Sequence, residues 1–233
     1  MTEPSLVAAL ELCTQRCRDM DAPLPTRLAA MADDVRRLAP QFADIVDRMV
    51  GRLQQGAAGV TAPAVGEPMP PFVLPNENGQ LVSLSRLLES GQVVISFNRG
   101  HWCPYCRINA DGLAKIEPDV RAAGGQIVLI TPELQRHTKR HKADAKATFP
   151  ILTDLDSGYA LALHLAIRID DEKRTAMTQA GWDISEFQGN DNWTLPIPAT
   201  FIVGQDGIIK SRFVDPDYRK RMDLQKLLAA LRE

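Results

Sequence analysis

Apolar residues in the first part of the chain recur at helical spacing. Leu6, Val7, Leu10, Cys13 and Cys17 fall at steps of three and four and predict one face of a helix. Asp21-Ala22-Pro23-Leu24-Pro25 breaks it. A second run, Leu28, Met31, Val35, Leu38, Phe42, Ile45, Val46, Met49 and Leu53, keeps the spacing, with Pro40 placed to split or kink it. No strand pattern interrupts residues 1–60, which predict a helical hairpin laid against the main domain or a second subunit. Gly51 to Gly66 is rich in Gly, Ala and Pro and predicts a linker.

From Val65 the pattern changes. Phe72-Val73-Leu74 and Leu81-Val82-Ser83-Leu84 flank Asn78-Gly79 and predict a hairpin. Ser85 to Leu88 predicts a short helix. Val93 to Phe97 and Gln126 to Ile130 are apolar runs of strand length, the kind covered on both faces of a sheet. Between them Pro104 to Ala123 predicts a helix, with Gly124-Gly125 as its stop. Residues 133–147 predict a polar, basic helix, Ile151-Leu152 a short strand, and Gly158 to Leu165 another helix. Residues 170–195 read as irregular or helical. Pro196 to Val203 predicts a strand, Gln205-Asp206-Gly207 a turn into Ile208 to Phe213, and Leu224 to Leu231 a final helix. This alternation predicts an α/β domain over residues 65–233, built on a mixed sheet flanked by helices, with an N-terminal helical extension.

Composition narrows the function classes. The 233 residues are 45% hydrophobic, enough to bury a core, and 27 Lys+Arg against 29 Asp+Glu leave a net charge of −2. Such a balance generates no field to gather nucleic acid or an anionic membrane. No apolar run reaches the roughly 18–20 residues that span a bilayer. Met1-Thr2-Glu3-Pro4-Ser5 lacks the basic and apolar regions of a cleaved signal, which predicts a cytoplasmic protein.

The four cysteines fall in two pairs, Cys13 with Cys17 and Cys103 with Cys106. The second pair carries the chemistry. A buried strand runs into Asn98-Arg99-Gly100-His101-Trp102, and Cys103-Pro104-Tyr105-Cys106 then opens a helix. Two cysteines three apart at a helix start lie one turn apart on one side, so their sulfurs can close a small disulfide. The unpaired N–H groups and partial positive charge of the helix start favour a thiolate, and thiols in such places fall well below the usual value of about 8.5. Pro104 suits the first turn because its missing N–H has no partner there. His101, Arg99 and Arg107 can add positive potential. The competing use of the pair is half of a zinc site with Cys13 and Cys17, but no second Cys/His pair follows at zinc spacing. No metal or cofactor is expected.

Other residues read more plainly. Cys13 and Cys17 suit core-facing thiols, with an extra redox pair or an intersubunit disulfide as the alternative. His137 and His141 have metal-pair spacing but sit among Arg136, Lys139, Arg140 and Lys142, which predicts a solvated face. His164 predicts a hydrogen-bonded core histidine, and Asp170-Asp171-Glu172 a solvated turn. Trp102 packs under the dithiol or lines a substrate groove that Trp182 and Trp193 could wall.

Residues from about 66 to 221 resemble the peroxiredoxin-like (alkyl hydroperoxide reductase / thiol-specific antioxidant) branch of the thioredoxin-fold superfamily. The resemblance lies in Gly66-Glu67-Pro68-Met69-Pro70-Pro71-Phe72, Phe97 to Cys106, Pro198-Ala199-Thr200-Phe201-Ile202-Val203 with Asp206-Gly207, and Asp215-Pro216-Asp217-Tyr218-Arg219-Lys220-Arg221. It implies a thioredoxin-like fold. It also implies a cis-proline loop at Pro198, facing the dithiol and offering backbone groups to an extended substrate. Against the family's Pro-x-x-x-Thr-x-x-Cys motif, Arg99 takes the proline place, Cys103 the threonine place and Cys106 the peroxidatic place. Pro198 stands where the family arginine would, and Arg168 or Arg99 are the substitutes in view.

The resemblance implies a thiol-dependent antioxidant enzyme that reduces hydroperoxides through a Cys103/Cys106 thiol–disulfide cycle, regenerated by a thioredoxin-like or low-molecular-weight thiol. Family position makes Cys106 the nucleophile. Thioredoxin logic makes it Cys103, nearer the helix start, and the weight here falls on Cys103. Trp102, Pro198, Arg99 and His101 are the expected substrate-binding residues. Two alternatives stand: a thiol:disulfide oxidoreductase, since Cys-Pro-Tyr-Cys also resembles the glutaredoxin motif, and a redox-sensing binding module. A homodimer through the N-terminal helices is expected.

Overall fold

The computed structural model describes residues 5–233; Met1-Thr2-Glu3-Pro4, on which much of the leader reading rests, lie outside the described residues. Three helices come first: α1 (Leu6–Asp19), α2 (Leu24–Leu38) and α3 (Pro40–Gln55). The Ser5 hydroxyl caps α1 by accepting from the Ala8 N–H. The expected hairpin is therefore a three-helix unit. Pro40 has no N–H with which to continue α2, and it opens α3 as a first-turn proline.

The apolar stripes of these helices face inward. Leu10, Cys17, Leu24, Leu28, Met31, Val46 and Met49 share one core with Cys103, Tyr105, Cys106, Ile108 and Tyr218. The extension is thus a cover over the beginning of the helix that carries the dithiol. Met31 is 0% exposed at its centre. Met31→Ala leaves a cavity there, and the expected cost is about 2–5 kcal/mol, read as a drop in the denaturation midpoint.

The main domain follows as β1 (Val73–Pro75), β2 (Leu81–Ser83), α4 (Leu84–Leu88), β3 (Gln92–Phe97), α5 (Pro104–Ala122), β4 (Gly125–Thr131), α6 (Gln135–Ala145) and β5 (Ile151–Thr153). A single 3-10 turn at Leu155–Ser157 leads to α7 (Gly158–Ala162), β6 (Ala166–Arg168), α8 (Asp171–Gln179), α9 (Ile184–Gln188), β7 (Thr194–Pro196), β8 (Ala199–Val203), β9 (Ile209–Val214) and α10 (Leu224–Arg232). The central sheet has the order β5-β4-β3-β8-β9. Strands β3, β4 and β5 are parallel, β8 runs antiparallel to β3, and β9 runs antiparallel to β8. Parallel neighbours need crossovers, and α5 and α6 supply them. One face packs Val94, Leu129 and Ile202 against Leu113, Val120, Leu227 and Leu231. The other packs Ile95, Phe97 and Phe201 against Phe72, Tyr159 and Leu163.

One expectation changes. The strand expected from Pro196 to Val203 is divided: β7 pairs with β6 in a small separate ladder, and only β8 joins the central sheet. Pro198 cannot donate to a ladder, and the break falls there. The stretch read as irregular or helical, residues 170–195, holds α8 and α9, capped by the Asp170 and Asp183 carboxylates. Among the described residues no helix is long and apolar enough to cross a membrane.

Candidate active site

The site is built where β3 gives way to α5. Six residues, 98–103, turn the chain. Gly100 adopts φ +142°, and a Cβ there would meet the Glu133 carboxyl at 2.7 Å and the Trp102 ring nitrogen at 2.6 Å, so only glycine fits. Cys103 is the N-cap of α5, Pro104 its first residue, and Cys106 lies in the first turn. The Cys103 carbonyl accepts from the N–H groups of Cys106 (3.0 Å) and Arg107 (3.1 Å), which fixes the turn between the sulfurs. Both thiols are free, and both are buried, Cys103 at 1% exposure and Cys106 at 0%.

The surroundings place the pair's negative charge on one sulfur. Cys106 Sγ accepts from the Arg99 backbone N–H at 3.2 Å and from Arg221 Nη2 at 3.3 Å. Burial pushes the Cys106 thiol up. The hydrogen bond from Cys103, the Arg221 charge and the backbone amides of Arg99 and Gly100 outweigh it and bring it down to about 5. Cys103 moves well above its ordinary range, through burial first and then its bond to the Cys106 sulfur. The Arg221 guanidinium and the Arg99 N–H thus favour a thiolate at Cys106 over one at Cys103. This reverses the expectation that the cysteine nearer the helix start is the more acidic. The reason is that Arg221 and the turn amides converge on the inner sulfur.

Around the pair lie groups that the sequence hid. Arg221, from the loop before α10, is buried and also donates to the Tyr218 and Lys220 carbonyls. Glu133, just after β4, is fully buried and accepts from the His101 backbone N–H at 2.8 Å. Burial raises its carboxyl to about 8; the His101 bond opposes this and the Cys106 charge adds to it. A carboxyl raised in the folded state supports folding fully below its ordinary 4.5, and that support is lost as pH climbs through about 8. Glu133→Gln removes the titration. The expected result is a variant more stable than the parent at pH 9, by on the order of 1–3 kcal/mol, with a much smaller difference at pH 4. Thermal unfolding at the two pH values measures it.

A cavity of about 30 Å³ lies beside Cys103, under the cover. Leu10, Val35, Phe42 and Trp182 close its outer side, and Arg99, Trp102, Lys173 and Tyr218 share its wall with the sulfur. That volume holds about one or two water-sized molecules.

Of the expected substrate-binding residues, Trp102 lines this cavity, half-buried. Arg99 lines it too, its guanidinium 4.1 Å from the Tyr218 ring centre and 5.2 Å from that of Trp102. His101 turns away: its Nε2 lies 3.3 Å from Asp144 Oδ2 on α6. Burial would raise Asp144, but His101, Arg107 and Arg18 together hold it far below the usual carboxylate range. Pro198 sits next to Ala199, which pairs with Phe97 at the end of β3. It therefore flanks the turn into the dithiol, but it lines none of the cavity, and among the described residues every peptide bond is trans. The expected cis-proline loop is absent. Arg168 is exposed on β6, and the guanidinium that reaches the Cys106 sulfur is that of Arg221.

Further expectations are corrected. His141 is 0% exposed rather than solvated, and burial, with His101 beside it, lowers it to about 3, so it stays neutral. The α6 face that carries it packs on His101, ring to ring at 5.4 Å. His164 is exposed, and its Nδ1 lies 3.0 Å from the Thr61 hydroxyl, so it is no core histidine. The 170–172 turn is solvated as expected, with Asp171 and Glu172 exposed, and it ties α8 to α3 through Asp170 with Arg52 and Glu172 with Arg48. Trp182 closes the cavity, and Trp193 is buried in the same core. Cys13 and Cys17 pack in or against the α1–α3 core, and among the described residues no three His, Cys, Asp or Glu groups converge as a metal site.

Comparison with known proteins decides the family. The family model described as AhpC/TSA matches residues 65–212. The chain belongs to the AhpC/TSA family. It is accordingly a thiol-dependent peroxidase by family, and the disulfide-exchange and sensor readings are not favoured. The fold resembles that of peroxidoxin BcpB from Mycobacterium tuberculosis, with 19% identity over 72% of this chain and 96% of the other, TM-score 0.57. It also resembles peroxiredoxin 6 of Arenicola marina, with 18% identity over 72% of each chain, TM-score 0.59. A third similar structure, studied for alkyl peroxide reduction, is the bacterioferritin comigratory protein of Xanthomonas campestris, with 16% identity over 69% of this chain and 89% of the other, TM-score 0.52. No curated protein matches the sequence. Within the AhpC/TSA frame, α1–α3 lie outside the matched residues and form the roof of this chain's site.

Proposed function

We propose that the chain reduces hydroperoxides at Cys106 and resolves the product with Cys103. The carrying observation is the Cys106 sulfur, held as an anion by the Arg99 N–H and Arg221. The thiolate attacks the outer peroxide oxygen, the O–O bond breaks, and the alcohol or water leaves. Cys106 becomes a sulfenic acid, and the Cys103 sulfur displaces its hydroxyl as water to form the disulfide. A thioredoxin-like protein or low-molecular-weight thiol returns the pair to dithiol by exchange. Because both sulfurs are sealed, the cover opens in each cycle. Glu11, which binds Arg107 across the α1–α5 seam at 2.8 Å, and Arg18, which binds Asp144 at 2.9 Å, hold it closed.

One observation favours a second assignment of the sulfurs: the cavity wall includes Cys103 and not Cys106. In that version Cys106 accepts the Cys103 proton and Cys103 attacks. The two versions share the site and differ in which single variant still reacts.

A cytoplasmic location and a homodimer belong to the same proposal. The inner faces of α1–α3 are occupied within the chain, so a dimer would use their outward faces, which expose Leu12. The test of function is stopped-flow mixing of the reduced protein with excess hydrogen peroxide. Thiol loss at least about a thousandfold faster than for free cysteine supports the proposal. Loss at the free-cysteine rate, with turnover of insulin disulfides, would replace it by disulfide exchange.

A further inference from the structure

One more titratable group faces the cavity, and the peroxidase cycle as described leaves it without a role. Lys173 lies in the first turn of α8, its backbone N–H donating to the Asp170 cap at 2.8 Å. The residue is 1% exposed. Among the described residues its Nζ has no hydrogen-bond partner, and it sits 3.4 Å from the centre of the Phe42 ring. A buried amine with no acceptor is costly, and an apolar side chain of the same length would pack there more cheaply. Such a group beside a reactive pair is a candidate for chemistry.

The charges that face it come from every side of the cavity. Arg99 projects from the β3–α5 turn, Cys103 from the start of α5, Tyr218 and Arg219 from the loop before α10, and Asp170 from its own helix. Asp170 is engaged by Arg52, and Glu172 by Arg48. Burial and Arg99 lower the amine well below its ordinary range, Cys103 and Asp170 oppose that, and Arg219 adds to the lowering. An amine whose charged form is disfavoured by burial and by Arg99 therefore shares a cavity with the thiol that must lose its proton.

We propose that Lys173 is the base that takes the Cys103 proton during disulfide formation. The inference rests on the reading in which Cys106 attacks the peroxide and Cys103 resolves. The amine accepts the Cys103 proton through one water in the cavity that both groups line. The Cys103 sulfur then bonds to the Cys106 sulfur as the S–O bond of the sulfenic acid breaks. The departing hydroxide takes the proton back from the ammonium and leaves as water. The step consumes no outside reagent.

The experiment follows two steps separately, with one equivalent of hydrogen peroxide and the full chain. Sulfenic acid is read with a dimedone-type trap and the disulfide by peptide mass. In the unmodified protein the disulfide step is expected to be level between pH 7 and 9. In Lys173→Met sulfenic acid forms within about twofold of the parent rate, while the disulfide step slows at least about tenfold at pH 7 and climbs about tenfold per pH unit. Lys173→Arg, which cannot give up its proton, is expected to be as slow as Lys173→Met. A Lys173→Met protein that closes its disulfide at the parent rate with the parent pH profile overturns the proposal. So does an unmodified protein whose disulfide step itself climbs tenfold per unit, a result that needs no variant to fold. Failure of the peroxidase reading looks different: no sulfenic acid appears in any of the proteins, and the base then has no step to serve.

Discussion

Cys106→Ser is expected to lower peroxide consumption at least about a thousandfold, whereas Cys103→Ser is expected to react once at close to the parent rate and stop as a sulfenic acid. The asymmetry comes from the placement of charge. The anion rests on the sulfur that Arg221 and the Arg99 amide address, and a serine hydroxyl there stays protonated and unreactive. Cys103 is the less acidic of the two, so its loss removes resolution before it removes attack. Serine keeps an O–H at the position from which Cys103 donates to the Cys106 sulfur, so the first step of Cys103→Ser should keep the parent pH profile. The reverse outcome, with Cys103→Ser inert and Cys106→Ser still consuming one equivalent, would assign attack to the sulfur on the cavity wall.

The second large effect belongs to Arg221. The unmodified protein should hold a level rate from about pH 6 upward and lose it as pH falls through about 5, because protonation removes the thiolate. Arg221→Met takes away the nearest cation and leaves burial to act. The half-point of the profile should then move up by about one to two pH units, with a loss of about two- to tenfold at pH 6 and recovery by pH 9. Arg221→Lys keeps the charge but not the reach to the Tyr218 and Lys220 carbonyls, and should fall between the two. A profile unmoved in Arg221→Met would show that the turn amides alone hold the anion. A loss uniform across pH would instead point to a loop that had shifted. The rate of the first step against pH distinguishes these outcomes.

Much of this architecture was legible in the chain because local patterns dictate it. The largely apolar runs of β3 and β4 suit the middle of a sheet, and the dithiol is announced by its spacing behind β3 and its proline at the helix start. What stayed hidden depends on contacts between distant segments. Arg221 is 115 positions from Cys106, and only the approach of the loop before α10 makes it a partner. Lys173 and His141 sit in helices whose composition is almost wholly polar, and a pattern reading turns every charge outward. The structure buries both because one helix face is needed against the site. The amphipathic period of α1–α3 predicts an apolar face but not what it covers. That the covered surface is the dithiol follows only from seeing Leu10, Val35 and Phe42 above Cys103. The two cysteines differ for the same reason: helix position favours Cys103 as the more acidic, while the Arg99 amide and the distant Arg221 favour Cys106.

The central claim is that Cys103 and Cys106 alternate between a dithiol and a disulfide when peroxide arrives. The most direct measurement is peptide mapping of the reduced protein after one equivalent of hydrogen peroxide, quenched within seconds. The expected product is a peptide containing Cys103-Pro104-Tyr105-Cys106 that has lost two hydrogens, with Cys13 and Cys17 still reduced. Recovery of Cys103 and Cys106 as unchanged thiols, with the oxidation found at Cys13 or Cys17 or nowhere, would contradict it.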